Sequence, residues 1–291
     1  MAGQVYFGTK EHMQWVPAPA VNMGAGKSGY AGRADFLNGG VDIRRSKGAA
    51  KTYNMAWNLQ HREDIQPVLD YADGMYGDGP IYFLDPFGAD RNALPAAWAA
   101  PYINAYDGPV VVGDTRPSVL NTGSSFMGFP IESAIYTLGQ GTVSQSVYIP
   151  IPDTYVGYLI AFGQQVSGAP AVNITLHTTP EGGQSNDLIL ANKNEVNTTS
   201  NSLVVIPGST VRGVSIRLKG PNTGTGVLQL DGMMLQVLPA GAVRSVDRFI
   251  SGQGASGLSF VNQPAVTAYS AALDRIGVSA ELVETEAWKW Q

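Results

Sequence analysis

Residues 62–86 read REDIQPVLDYADGMYGDGPIYFLDP, and they predict an amphipathic helix, a glycine-rich turn and an apolar strand in that order. Apolar residues recur there at three- and four-residue spacing, as in a helix that buries one face against a sheet. This stripe consists of Ile65, Val68, Leu69, Ala72 and either Met75 or Tyr76. Pro67 fits the first helical turn, and the glycines of residues 74–79 end the helix. We therefore expect a single clear helix, whose Ile65, Leu69 and Ala72 face packs on a sheet.

Short strand patterns fill most of the remaining sequence. Around the helix they cover residues 4–7, 34–36, 41–44, 52–59 and 81–84. Farther along they cover residues 110–112, 133–138, 143–149, 155–164, 171–178, 187–191, 202–206, 211–218 and 226–237. About eight or nine consecutive strands without a helix are typical of a jelly roll or a related sandwich.

The chain changes character after residue 239, when the strands of the predicted jelly roll are complete. A glycine- and serine-containing segment follows, and then a polar–apolar strand over residues 276–288. We expect this tail to return to the first part of the chain. The predicted domains are therefore residues 1–104 plus 241–291, and an inserted jelly roll of residues 105–240 that folds alone.

Composition agrees with an all-β protein and excludes several function classes. Charged residues make up 14% of the chain, which contains 35 glycines and 18 prolines. The net charge is −5 and the charges are scattered, so direct nucleic-acid binding is not expected. There is no cysteine, which excludes disulfides, thiolate metal sites and cysteine nucleophiles. No apolar run reaches about eighteen residues, so membrane insertion is not predicted.

Several motifs resemble the distal tail protein family of long-tailed bacteriophages, particularly the minor tail proteins of phages of actinobacteria. The resemblance is carried by the helix–turn–strand of residues 62–86, Trp15 and Pro17, the Arg44–Arg45 pair, residues 52–58, the turn 75–80, and VSAELVETEAW at 278–288. Residues 227–236, VLQLDGMMLQ, resemble instead the closing strand of carbohydrate-binding-module jelly rolls.

The resemblance implies a fold and a structural role in the virion. The expected fold is mainly β, with a β-sandwich or split-barrel belt domain that carries one α-helix. A jelly-roll β-sandwich like those of galactose-binding and carbohydrate-binding modules is expected beside it. The implied function is a ring, a hexamer in this family, that joins the tail tube to the tail tip or baseplate. Enzymatic activity, a cofactor and a metal are not expected.

The resemblance also implies partners and locations. The expected partners are further copies of the chain, the tail tube protein, a tail hub or tip protein, and a host cell-surface glycan at the peripheral domain. The expected locations are the tail tip of the virion and, during assembly, the host cytoplasm. The alternative function is a glycan-binding module, or a glycan-active enzyme, of a phage or bacterium.

Catalytic and nucleotide-binding motifs are incomplete. Residues 24–28, GAGKS, resemble the end of a phosphate loop, but Val21 stands where that motif needs glycine, so a flexible surface loop is expected. The three histidines, His12, His61 and His177, lack metal-ligand spacing and are expected at the surface or at helix caps. The crowded carboxylates of residues 281–286 are expected to be solvated or interfacial rather than a glycosidase pair.

Two sets of residues are the candidate contacts. The candidate glycan contacts are Tyr136, Tyr148, Tyr155 and Tyr158. Exposed tyrosines can stack on sugar rings, although tyrosines at alternate strand positions often pack within a sheet. The candidate ring-interface residues are Lys27, Arg44, Arg45 and Lys47.

Overall fold

The structure is a computed structural model. It describes residues 3–20, 24–27, 31–35, 41–45, 51–77, 79–84, 88–101, 117–121, 128–129, 132–179, 182–193, 202–244, 248–255, 257–270 and 274–285. For the three strands within 24–45, the description covers the backbone only. The predicted strand 110–112 and the end of the predicted strand 276–288 lie outside the described residues.

The described residues form nineteen strands and three helices. The helices are α1 (Arg62–Ala72), α2 (Ala89–Asn92) and α3 (Ala96–Ala99). The strands before position 100 are β1 (Gln4–Gly8), β2 (Met13–Pro17), β3 (Gly24–Lys27), β4 (Ala31–Asp35), β5 (Val41–Arg45), β6 (Lys51–His61) and β7 (Tyr82–Leu84). Those of the middle region are β8 (Ser118–Asn121), β9 (Glu132–Leu138), β10 (Val147–Pro150), β11 (Tyr155–Ser167), β12 (Ala171–His177), β13 (Gly183–Asp187), β14 (Val204–Pro207), β15 (Gly213–Lys219) and β16 (Gly226–Pro239). The last three are β17 (Leu258–Phe260), β18 (Ala265–Ser270) and β19 (Arg275–Glu284).

The N-terminal and C-terminal strands share a sheet. Its order is β17-β19-β6-β3, with β18 also paired to β19. The antiparallel register of β6 and β19 places Trp57 opposite Val278 and Tyr53 opposite Leu282. A second, three-stranded sheet has the order β2-β1-β7, and β4 and β5 form a separate hairpin.

The middle strands form a two-sheet sandwich. One sheet has the order β10-β15-β12-β13 and the other β14-β11-β16-β9-β8. Alternate positions of a strand face the same side, so each sheet presents one inward face. The inward residues of both sheets pack together in one hydrophobic cluster. The predicted fold class, mainly β with antiparallel sheets and a sandwich, is confirmed.

Helix α1 packs against the strands of the first part through a face that differs from the predicted one. Ile65, Val68 and Tyr71 are buried, whereas Leu69 is only half-buried. Tyr71 takes the place that Leu69 and Ala72 were expected to fill, because its ring packs edge-on against Phe7 and its hydroxyl donates to the backbone oxygen of His12 at 3.0 Å. The buried face of α1 is therefore rotated about the helix axis relative to the face that the sequence predicts.

Two short helices that the sequence pattern did not indicate pack on the sandwich. Between them, α2 and α3 bury Asn92, Trp98 and Ala99. The Asn92 amide donates to the backbone oxygens of Met233 and Ile250 at 3.0 and 2.8 Å, and its oxygen accepts from the Leu235 amide at 3.1 Å. A helix of four residues is too short to show an apolar stripe, which explains why periodicity missed both.

The hydrophobic packing divides the chain at other positions than the sequence did. One cluster joins residues 5–83 to residues 255–282, and the other joins residues 84–100 to the sandwich and to Phe249. Residues 88–101, assigned by sequence to the first domain, thus contribute to the core of the sandwich.

Several strand predictions need correction. Residues 24–27, expected in a flexible loop, form β3, which pairs with β6 from Gly24–Asn54 to Lys27–Lys51. Apart from one isolated bridge at Ala191, residues 188–191 are not strand, and β13 precedes them. Strands β8, β17 and β18 were not predicted, because they are short and are held by pairing with β9 or β19.

Candidate functional site

A cleft of about 610 Å³ lies between the β1–β2 hairpin and the loops of the sandwich. The hairpin contributes Tyr6, Lys10, Glu11, His12, Met13, Gln14 and Trp15. The sandwich contributes Tyr148, Ile151, Asp153, Thr178, Gly208, Ser209, Thr210 and Arg212. The volume of the cleft lies within the range of about 300–1,000 Å³ that is usual for small-molecule sites.

Side chains on β1 and β2 alternate between the two faces of the hairpin, and this alternation places two aromatic side chains in the cleft. Val5, Phe7 and Val16 are buried in the first core, so their neighbours Tyr6 and Trp15 face the opposite side. These two residues are directly opposite in the hairpin register, and their ring centroids are 5.2 Å apart with the planes at 51°. The sequence of the hairpin therefore builds an aromatic corner on its outer face.

The aromatic corner continues onto the sandwich. The Trp15 ring lies 5.5 Å from the ring of Tyr155, at the start of β11. Tyr6 also packs against the core of the sandwich. These contacts connect the hairpin to the sandwich beside the open cleft.

A cation–aromatic cluster of half-buried Lys10 and buried Tyr148 lies at the floor of the cleft. Lys10 Nζ lies 4.8 Å from the ring centroid of Tyr148, a distance at which a cation is attracted to the ring face. Burial lowers the pKa of Lys10 and raises the pKa of Tyr148. Burial also raises the pKa of Tyr82, whose ring packs edge-on against Tyr148, to about 12. Both tyrosines stay neutral at ordinary pH.

His177 borders this floor and has one polar and one aromatic neighbour. Its Nε2 lies 2.7 Å from Ser215 Oγ, and its ring packs edge-on against Tyr148. Burial and, secondly, the charge of Lys10 lower the pKa of His177, so the neutral imidazole is favoured. Its Nδ1 is buried and has no hydrogen-bond partner in the described part of the chain.

Polar groups surround the mouth of the cleft. The side chains of Glu11, Asp153 and Arg212 are exposed. Arg212 is the residue directly before β15. Within the described residues, neither the Asp153 carboxylate nor the Arg212 guanidinium makes a hydrogen bond or an ion pair. The loop at Gly208 passes so close to the neighbouring loop that a Cβ there would collide with the carbonyl oxygen of Pro152.

The candidate tyrosines do not gather at one site. Tyr136 is 1% exposed in the sandwich core, so the expectation that it is exposed was wrong. Tyr148 is 5% exposed and forms the cleft floor, while half-buried Tyr155 lies beside the cleft against Trp15. Tyr158 is half-buried on β11 and does not line the cleft. The alternation that places Ala134 and Leu138 inward also buries Tyr136 between them.

The candidate ring-interface residues fall largely outside the described side chains. Lys27 ends β3, and Arg44 and Arg45 end β5, where only the backbone is described. Lys47 lies outside the described residues altogether. Their contacts therefore stay predictions.

The other candidate groups have structural partners. His12 stacks on Tyr76 at 4.1 Å, and His61 Nε2 lies 3.0 Å from an Arg275 nitrogen. Glu284 accepts a hydrogen bond from the backbone of Lys51 at 3.0 Å. In the described ranges, no group of three or more histidine, aspartate or glutamate side chains could hold a metal ion, and no helix is long and apolar enough to cross a membrane.

Sequence reasoning missed most of the cleft. Tyr6, Lys10 and Trp15 lie more than a hundred residues from Asp153 and Arg212, so no local spacing connects them. One signal was present: two large aromatic residues occupy the outward positions of a hairpin whose inward positions are already apolar. Such an outward aromatic pair needs a second surface to cover it.

No family model matches the sequence, and no curated protein matches it. Similar solved structures include TmCBM61 in complex with β-1,4-galactotriose, with 16% identity and a TM-score of 0.28 over 50% of this chain and 97% of that one. A carbohydrate-binding module of the β-sandwich superfamily has 14% identity and a TM-score of 0.25, over 80% and 96%. The VP2 subviral particle of infectious bursal disease virus has 10% identity and a TM-score of 0.25, over 96% and 75%. Scores this low carry no argument about the function of this chain.

Proposed function

We propose that this chain is a non-enzymatic structural protein of a phage virion, a distal tail ring subunit that joins the tail tube to the tail tip or baseplate. The observation that carries the proposal is the backbone pairing of the three strands β3, β4 and β5. Strand β3 is the outer strand of its sheet, and β4 and β5 pair only with each other among the described strands.

These strands favour assembly for a physical reason. An edge strand presents unpaired N–H and C=O groups that a neighbouring chain can bind. A two-stranded hairpin by itself is marginally stable in water, so it gains stability from a surface that packs on it. In a closed ring of identical copies, that surface is a different patch on the next copy. The basic residues Lys27, Arg44 and Arg45 belong to these strands and are proposed to contact that patch.

The sandwich is placed at the outside of the ring in this proposal. A domain of that size does not fit between close-packed copies, whereas the shared sheet of β3, β6 and β19 can lie at the ring body. The proposed partners are further copies of the chain, the tail tube protein above and a hub or tip protein below. The proposed locations are the virion tail tip and, during assembly, the host cytoplasm.

The cleft favours a second candidate function, a glycan-binding module of a phage or bacterium. Such a module needs a groove with aromatic walls and converging polar groups, which the cleft provides within one copy. Ring assembly separates the two candidates, because a free binding module does not need it.

A pair of double variants tests the ring proposal in solution. Sedimentation of the full chain should show a large closed species, and Arg44→Gln with Arg45→Gln should shift it to lower mass. Arg91→Gln with Arg248→Gln removes the same charge at exposed positions outside residues 24–45 and should leave the mass unchanged. A wild-type chain that sediments as a monomer, or two double variants that behave alike, would contradict the proposal.

A further inference from the structure

We propose that the cleft between the β1–β2 hairpin and the sandwich binds a neutral oligosaccharide, with Trp15 and Tyr6 against the sugar ring and Asp153 and Arg212 on its hydroxyls. The inference deepens the second candidate function, glycan binding at the cleft, and rests on it for the chemical class of the ligand. It does not depend on ring assembly, since one copy contains every lining residue.

The aromatic corner of Tyr6 and Trp15 suits the face of a sugar ring. A sugar ring has C–H groups on its faces, and these pack on aromatic side chains, which combine a large apolar area with a rigid shape. Tyr6 and Trp15 are both half-buried and keep part of their surface open to the cleft. Their planes meet at 51°, so a ring lying on Trp15 is also bounded by Tyr6.

The polar rim of the cleft suits the hydroxyl groups of a sugar. Sugar hydroxyls both donate and accept hydrogen bonds, and Asp153, Arg212 and Gln14 supply acceptors and donors around the aromatic corner. Among the described residues, the Asp153 carboxylate and the Arg212 guanidinium have no hydrogen-bond or ion-pair partner, so a sugar can bind these two groups without breaking an existing side-chain contact of either. Ser209 and Thr210 add hydroxyl groups on the same side.

The charges that line the cleft favour a neutral ligand. The charged side chains that line the cleft are Lys10, Glu11, Asp153 and Arg212, two of each sign. Lys10 is already engaged with the Tyr148 ring on the floor. A cleft with balanced charge does not attract an anion such as a phosphate or a uronic acid by its field, so a neutral sugar is the favoured ligand.

Packing within the chain holds the walls of the cleft together. Its floor residues Tyr148 and Ile151 are 5% and 1% exposed, and the Trp15–Tyr155 contact joins the two walls. A site whose walls are already packed needs little ordering when the ligand binds.

Calorimetry on the full chain with defined sugars tests the proposal. The neutral probes are cellotriose, maltotriose, β-1,4-galactotriose and triacetylchitotriose, and the charged probe is trigalacturonic acid, each at up to about 10 mM to reach weak sites. At least one neutral trisaccharide should bind, and trigalacturonic acid should bind more weakly. Absence of binding by all four neutral probes, or preference for the acid, would overturn the proposal.

Substitutions then locate the site. Trp15→Ala should weaken the neutral sugar by about tenfold or more, as expected for loss of an aromatic anchor, while Trp15→Phe should retain most of the affinity. Arg212→Gln should weaken binding, and Arg91→Gln, at another exposed arginine, should not. Unfolding midpoints establish that each variant is folded. Equal effects of Arg212→Gln and Arg91→Gln, or wild-type affinity in folded Trp15→Ala, would place the sugar elsewhere.

The ring variant distinguishes the two proposals. The Arg44→Gln, Arg45→Gln chain should bind the sugar with wild-type affinity even when its mass falls, because the cleft is complete in one copy. If binding disappears together with the ring, the cleft alone is not the site. If the wild-type chain binds the sugar as a monomer, the ring proposal fails and the cleft proposal stands.

Discussion

In and beside the cleft floor, burial disfavours the charged forms of three side chains, Lys10, Tyr148 and His177. His177 lies between Ser215 and the Tyr148 ring, and Lys10 is the cation that faces it. Burial lowers the pKa of His177 below its ordinary value of about 6.5. The unfolded chain therefore binds this proton more readily than the folded one does.

The sign of the resulting pH effect follows from that direction. The contribution of His177 to stability is complete above about pH 6.5 and is lost as the pH falls below it. When the pH is lowered from about 7.5 to about 5.5, the free energy of unfolding should fall in wild type, and it should fall by a smaller amount in His177→Gln. Urea denaturation at the two pH values measures this difference. His61→Gln, at an exposed histidine, is the matched control, and a wild-type pH dependence in His177→Gln would refute the expectation.

At the scale of elements, α1 gives a direct test of which face is buried. Ile65 is 0% exposed, whereas Leu69 is half-buried on the neighbouring face. Ile65→Ala should lower the free energy of unfolding by about 2–5 kcal/mol, because it leaves a cavity in a fully packed core. Leu69→Ala should cost clearly less. Chemical denaturation of both variants measures the difference, and equal costs would mean that the helix presents its originally expected face.

The elements also show what the sequence alone can predict. Helix α1 could be predicted from the sequence because its apolar stripe extends over three turns. Strands β11 and β16 could be predicted because they are long apolar runs. By contrast, β3 has the sequence GAGK, which carries no alternation, and its strand form comes from pairing with β6. The cleft was not predictable, since Trp15 and Tyr155 meet only through tertiary packing.

At the scale of the whole molecule, the boundaries of the inserted unit follow from its core. Phe249 stacks on Phe129 at 4.6 Å, and Trp98 is 2% exposed in the same cluster. We expect a fragment of residues 88–254 to unfold cooperatively. A fragment of residues 105–240 should be less stable or insoluble, because it lacks these covering side chains. Thermal unfolding compares the two, and equal midpoints would support the shorter boundaries that the sequence predicted.

The chain is proposed to assemble into a closed ring through its first part. Negative-stain images of the purified chain would show such a ring. We expect closed rings with rotational symmetry, a body formed by the shared sheet, and separate densities of the sandwich at the rim. A field of single particles with the mass of one chain, or open filaments, would contradict it.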